Sequence, residues 1–204
     1  RAQEVIAEAL AHRADLTVRR TGHRGHAREL AATAAADGAD LVIALGGDGT
    51  VNEVVNGLLS AGVGPDVPLL GIVPGGSTNV TARSLGLPED AVEATGALLD
   101  ALRVGRVRSL GMGEADGRWF TFSAGVGFDA AVVAAVEARR GSGRNTGVLG
   151  YVSRGVGTYL RRVDRRNPLL SVRTATQQID DLFLAIVQNT SPWTFFGERP
   201  VTAC

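Results

Sequence analysis

Residues 46–50, Gly-Gly-Asp-Gly-Thr, place one carboxylate in a stretch almost bare of side chains. Glycines at 46, 47 and 49 permit positive φ and let a ligand come close to the backbone. Val51, Val54, Val55, Leu58 and Leu59 then recur at i, i+3, i+4, i+7 and i+8. That spacing predicts one face of a helix starting near Thr50, with Asn52, Glu53, Asn56 and Gly57 on its other faces. The free N–H groups at such a start carry about half a positive charge, and phosphate is the natural guest. Asp48 would repel a phosphate unless a metal ion or a hydroxyl proton stands between them. Thr50-Val51-Asn52-Glu53 also fits a capping box, in which Thr50 and Glu53 only satisfy backbone donors. No GK[ST] follows the glycines and the spacing is not G-x-G-x-x-G, so neither common nucleotide fingerprint applies.

A second glycine turn follows at Pro74-Gly75-Gly76-Ser77-Thr78-Asn79. Ser77, Thr78 and Asn79 can donate to phosphate or ribose oxygens. Alternatively, Ser77 or Thr78 caps the short helix expected over Val80–Leu85. A third glycine-bearing turn is expected at Gly125–Asp129, leading into a helix over Ala130–Arg140. His12, His23 and His26 are too few and dispersed to assign a metal ligand set; His23 and His26 read as a solvated pair.

The elements that must hold these turns follow from hydrophobic period. Leu41–Leu45 and Leu69–Val73 are continuous apolar runs, expected of parallel strands covered on both faces. Helices are expected over Ala2–Ala11, over His26–Asp37 up to Gly38, from Pro88 as first residue to Leu102, and over Val148–Arg162. Leu16–Val18 reads as a strand whose C-terminal end carries Thr21, where open α/β sheets bind ligands. Beyond residue 104 the texture becomes strand-rich. Val104–Met112 and Arg118–Ser123 flank an Asp116-Gly117 turn, and Leu169–Thr174 pairs with Ile179–Gln188 as a hairpin. A loop is expected over Gly141–Gly147, and Trp193, Phe195 and Phe196 are expected in a core.

With 204 residues and zero formal net charge, the chain has room for one large domain or two small ones and lacks a global basic field for nucleic acid. All basic side chains are Arg, which excludes a lysine mechanism in this segment. The single cysteine, Cys204, excludes an internal disulfide and a cysteine zinc site, and fits a reducing compartment. No apolar run approaches the ~20 residues of a membrane helix.

GGDGTVNEVVNGL, then PGGSTN with ARSLGLP, then AGVGFDA, in that order, resemble the diacylglycerol kinase catalytic domain. That family includes bacterial lipid kinases and the diacylglycerol, sphingosine and ceramide kinases. The resemblance implies an α/β ATP-binding domain over residues 1–104, with a Rossmann-like parallel sheet. It implies a partial antiparallel, β-sandwich-like lipid domain over 105–204, with the active site in the cleft between them. The implied reaction is Mg²⁺-dependent phosphoryl transfer from ATP to a lipid hydroxyl, most simply diacylglycerol to phosphatidic acid. By position, Gly46, Gly47, Asp48, Gly49, Thr50 and Asn52 would hold the ATP phosphates. Thr21, Gly76, Ser77 and Asn79 would contact nucleotide, and Asp48 and Asp129 would be the catalytic carboxylates. The implied partners are a lipid at a membrane surface and a second copy of the chain, with no nucleic acid. The implied location is the cytoplasm, at the inner face of the membrane.

Some positions depart from the family pattern. Val80 stands where the family usually has Asp. The usual first strand and the acidic general base of many bacterial members would lie outside residues 1–204, as in a segment of a longer enzyme. NAD kinases share the GGDG turn and fold, but NEVVNGL and PGGSTN favour the lipid side. A nucleotide- or lipid-binding homologue without turnover is the remaining alternative. Arg161, Arg162, Arg165 and Arg166 read as a solvated helix end or as contacts to anionic headgroups.

Overall fold

A computed structural model describes residues 2–127 and 170–202 of the chain. By contacts the chain divides into two units: residues 1–122 with 189–204, and residues 123–188.

The first unit is built on two strands, β1 (Leu41–Gly46) and β2 (Leu69–Pro74). They pair in parallel, from Leu41 opposite Leu69 to Gly46 opposite Pro74. The alternation of side chains along each strand splits the apolar runs between two cores. Val42, Ala44, Leu70 and Ile72 pack with α2 (His26–Ala36), α3 (Asp48–Leu58) and the short α4 (Val80–Ser84). Ile43, Leu45 and the fully buried Val73 pack with α1 (Ala2–Ala11) and α5 (Ala91–Arg103), through Ile6, Leu10, Leu98 and Leu99. Helices on both faces explain why the two strands are apolar throughout.

Several elements start or stop elsewhere than their sequence suggests. Helix α3 begins at Asp48, with Gly47 as N-cap, rather than near Thr50. Its buried residues include Asn56 and Gly57 as well as Val51, Val54, Val55 and Leu58, so it is covered on more than one face. Helix α5 begins at Ala91 instead of Pro88, because the Asp90 carboxylate accepts the N–H groups of Val92 and Glu93 and sets the start there. Leu16–Val18 is not a strand, and Val18 is exposed. A strand needs a hydrogen-bonded neighbour, and β1 pairs only with β2 among the described residues. Val104–Met112 is likewise irregular.

The remaining strands of this unit form hairpins. β3 (Gly113–Ala115) and β4 (Arg118–Phe120) are antiparallel across Asp116 and Gly117, both at positive φ. That is the turn an Asp-Gly pair favours. The other hairpin joins β9 (Thr194–Phe196) to β10 (Arg199–Val201). Phe195 in this hairpin is half-buried under the Arg83 guanidinium, 3.7 Å from the ring centroid. No helix among the described residues is long and apolar enough to cross a membrane.

In the second unit, β5 (Ser123–Gly127) pairs antiparallel with β8 (Leu184–Gln188), and β6 (Leu170–Arg173) with β7 (Gln178–Leu182). The expected hairpin is present as β6–β7. The run expected as one strand over Ile179–Gln188 is two strands, broken at Phe183. Gly125 lies inside β5 instead of in a turn, and only Gly127, at its end, has positive φ. The helices expected over 130–140 and 148–162, the loop over 141–147 and the arginines at 161, 162, 165 and 166 lie outside the described residues.

Candidate functional site

Both glycine turns sit at the C-terminal ends of β1 and β2, where parallel sheets present ligand sites. The Gly75 N–H donates to the Gly46 carbonyl at 2.9 Å, which extends the pairing of the strands into their turns. The turns then pack backbone on backbone. A Cβ on Gly76 would lie 2.6 Å from Gly47 Cα, and one on Gly47 would lie 3.1 Å from Gly76 Cα. A Cβ on Gly46 would meet the Thr50 side chain at 2.8 Å. None of Gly46, Gly47, Gly49, Gly75 and Gly76 has positive φ. Close approach of backbone to backbone therefore requires glycine at 76 and favours it at 47, the Thr50 side chain crowds position 46, and the positive φ expected of the first turn is not used. Gly49 alone among them has nothing within 4 Å of a would-be Cβ.

Asp48 is a bridge between the two turns. One carboxylate oxygen accepts the Val80 N–H at 2.9 Å and the other accepts the Thr81 N–H at 2.8 Å. These are first-turn donors of α4, which its own N-cap, Asn79, does not satisfy. At Val80 it is the backbone N–H, not the side chain, that meets Asp48. The start of α4 is therefore taken by Asp48, and neither Ser77 nor Thr78 caps it.

Asn79 sits at φ 48°, buried, with its amide turned back on its own loop. Its Oδ1 accepts the Gly76 N–H at 2.9 Å and its Nδ2 donates to the Gly76 carbonyl at 3.0 Å. The side chain expected to reach a nucleotide is thus the clasp of the second turn. Ser77 is exposed and Thr78 half-buried.

Glu53 does not complete a capping box with Thr50. It accepts the Gly25 N–H at 2.9 Å and the Ala27 N–H at 3.2 Å, capping α2. The physical reason is the earlier helix start. With α3 beginning at Asp48, Glu53 lies beyond its first turn, and α2, whose N-cap is a left-handed glycine without a side chain, needs acceptors. Thr21, four residues before Gly25, is exposed.

The first-turn N–H groups of α3, at Asp48, Gly49 and Thr50, have no acceptor among the described residues. They adjoin the open side of Gly49. The half-buried Asn52 offers a side chain without a hydrogen-bond partner among the described residues. These groups fit a phosphate: free donors at the positive end of an 11-residue helix, with no side chain in the way. For Mg²⁺ the fit is narrower. Asp48 is the one carboxylate here, and the described His, Asp and Glu side chains that cluster are His23, His26 and Glu29, elsewhere. The His23 and His26 rings stack at 4.5 Å, and His26 Nδ1 accepts the Gly22 N–H at 2.9 Å. Asp129 lies outside the described residues.

Residue reading alone missed the ties that hold α3 and α4 in place. Asn56, 6% exposed, donates to the Asn52 and Trp119 carbonyls at 2.8 and 2.9 Å and accepts the Trp119 N–H at 3.0 Å. It pairs with β4 as a neighbouring strand would. Arg83 donates to the Gly197 carbonyl at 2.9 Å, pairs with Glu89 at 3.0 Å and stacks on Phe195. The available signal was an amide next to glycine within an apolar helix, and an arginine within the buried Val-Thr-Ala run of α4.

The description "Diacylglycerol kinase catalytic domain" matches residues 1–115. A diacylglycerol kinase of Bacillus subtilis strain 168 is 42% identical over 104 residues, which are 50% of this chain and 32% of that protein. One from Staphylococcus epidermidis is 41% identical over 81 residues, 40% of this chain and 23% of that protein. The chain thus aligns with a third or less of the length of these curated relatives. A crystal structure of a diacylglycerol kinase from Bacillus anthracis str. Sterne superposes with a TM-score of 0.65 at 26% identity, covering 98% of this chain and 62% of that one. By the extent of the match over residues 1–115, the chain belongs to the diacylglycerol kinase catalytic domain family.

Proposed function

We propose that the chain is the nucleotide-binding part, with some of the lipid-binding part, of an ATP-dependent lipid kinase acting most simply on diacylglycerol. The observation that carries this is the start of α3: unpaired N–H groups at Asp48, Gly49 and Thr50 beside the open face of Gly49. Residues 1–104 are the Rossmann-like ATP-binding region in this reading, and 105–204 contribute to a β-sandwich-like lipid domain. ATP, when bound, supplies the phosphoryl group. The α3 N–H groups hold its phosphates, with Thr50, Asn52, Ser77 and Thr21 as further nucleotide contacts. Gly46, Gly47, Gly76 and Asn79 act indirectly, by keeping the two turns together.

Asp48 keeps free lone pairs after accepting two N–H bonds, since a carboxylate has about four acceptor positions. Those lone pairs can take a lipid hydroxyl proton or contribute one ligand to Mg²⁺, which usually meets one or two carboxylates and the phosphates themselves. Asp129 is the second carboxylate of the proposal. The substrate is a lipid at a membrane surface, reached from the cytoplasmic side, with a homodimer as the assembly.

The occupied state of Asp48 favours one alternative, a nucleotide-binding homologue in which Asp48 is purely structural. The test is labelled-ATP transfer with Mg²⁺ by the full-length gene product, offered diacylglycerol micelles, a sphingoid base and NAD. Label in diacylglycerol supports the reading, and label in NAD overturns it. ATP binding without transfer supports the alternative. Gly49→Val supplies the matching variant. It has room and an ordinary backbone, so stability should stay within about 0.5 kcal/mol while ATP affinity falls at least tenfold. Unchanged ATP affinity would remove the α3 start from the site. Gly47→Val is a poorer probe, because its side chain would push into Gly76.

A further inference from the structure

The chain that leads into α2 has few ties. Leu16 packs against the core around Val73, and residues 17–24 are exposed. Among the described residues, nothing hydrogen-bonds to residues 16–21. The first fixed peptide after Leu16 is the one joining Thr21 to Gly22, whose N–H donates to His26 Nδ1 at 2.9 Å.

His26 is itself held from several sides. It is the first residue of α2, half-buried, and its N–H donates to the His23 carbonyl at 3.3 Å. Its ring lies flat on that of His23, with 4.5 Å between centroids and 4° between planes. His23 Nδ1 bonds the Arg24 carbonyl at 3.0 Å. An amide donor requires a lone pair on His26 Nδ1, and a carbonyl acceptor requires a proton on His23 Nδ1. Glu53 of α3 accepts the N–H groups on either side of His26, those of Gly25 and Ala27. A continuous series of bonds thus runs from α3 to Thr21: the Glu53 carboxylate, the start of α2, the His26 ring and the Thr21–Gly22 peptide.

We infer that His26 is a positioning residue for the nucleotide: it fixes the Thr21–Gly22 peptide and so presents Thr21 to the part of the nucleotide beyond its phosphates. This rests on the reading of the α3 start as a phosphate site and of Thr21 as a nucleotide contact. His26 itself touches no nucleotide and acts through Thr21. The bond to Gly22 is exposed to water. Such a bond adds little to global stability, because water replaces either partner when it breaks. Its loss is felt in the order of the loop, not in the fold.

The test compares ATP with inorganic tripolyphosphate, each titrated by calorimetry into the full-length gene product with Mg²⁺ and no lipid. Three substitutions separate the acceptor from the ring. His26→Ala removes both, His26→Asn keeps an acceptor oxygen at the place of Nδ1, and His26→Gln moves the acceptor one bond further out. ATP affinity should fall about fivefold in His26→Ala and His26→Gln and stay within about twofold in His26→Asn. Tripolyphosphate should bind all of them equally, and the unfolding temperature should not change. Thr21→Ala should lose as much ATP affinity as His26→Ala, and the double variant no more than Thr21→Ala alone, because one residue acts through the other. Equal loss of ATP and tripolyphosphate would overturn the inference, since a merely loosened α2 gives that result. So would additive losses in the double variant, or His26→Asn as weak as His26→Ala. Gly49→Val, expected to weaken both ligands, tests the α3 start separately. Binding that responds to Gly49→Val and ignores His26→Ala overturns the inference alone. An unaltered protein that binds neither ligand overturns the nucleotide reading and this inference with it.

Discussion

Asp48 and Glu53 are five positions apart on α3, and each carboxylate satisfies the start of another helix: Asp48 that of α4, Glu53 that of α2. A negative charge is favourable at both places because helix starts carry unpaired donors and the positive end of the dipole. For Asp48 this bears directly on the usual mutational test of a catalytic carboxylate. In Asp48→Asn the side chain keeps one acceptor, but its NH₂ must face the second N–H, donor against donor. The expected cost is roughly 2 kcal/mol of unfolding free energy, and on the proposed kinase reading the full-length gene product also loses phosphoryl transfer. Chemical denaturation beside the kinase assay separates the two effects. Unchanged stability would mean that the Val80 and Thr81 bonds contribute nothing. For Glu53→Ala the expected loss is about 1 kcal/mol, with a faster-exchanging Ala27 amide. If hydrogen exchange at Ala27 were unaltered, the cap on α2 would be refuted.

At the scale of elements, α2 and α3 approach so closely that Gly57 has no room for a methyl group. A Cβ there would press on the Arg28 carbonyl and lie 2.7 Å from Ala31 Cβ. Two effects oppose each other in Gly57→Ala. Helix propensity gains about 1 kcal/mol, while overpacking in a tight interface costs about 1–3 kcal/mol. The backbone carbonyl cannot swing away as a side chain can, so the loss should win, with a net fall of about 1 kcal/mol by urea denaturation. A stabilised Gly57→Ala would show that the helices part easily. The same pair of helices marks what the sequence could reveal. β1 and β2 were legible because a strand covered on both faces is apolar throughout, and α3 because its valines repeat with helical period. Glu53 misled because its partner, Gly25, is 28 residues away and a local partner, Thr50, was available. Asp48 to Val80 spans 32 residues, and the Asn56 bond to Trp119 spans 63. Local pattern cannot find bonds of that reach. Leu16–Val18 had strand-like residues but no edge to join, and the spacing of a strand says nothing about whether a neighbour exists.

On the scale of the whole molecule, the buried apolar side chains among the described residues all fall between Ile6 and Ala94, in the first unit. The described part of the second unit consists of paired strands with Val126, Ile179 and Val187 at least half exposed. Two-stranded ladders are marginal without a packed apolar face, and local opening is easiest where few apolar contacts are lost. Amide exchange should therefore be slowest in β1, β2 and α3 and clearly faster in the β5–β8 ladder, in the same sample and at the same pH. Denaturant should accelerate the β5–β8 amides little, since small openings expose little surface. The β1–β2 amides should accelerate steeply, following global unfolding. If β5–β8 instead exchanged as slowly as β1–β2 and with the same denaturant slope, the two units would unfold as one. The stability of the second unit would then have to come from apolar surface beyond its described strands.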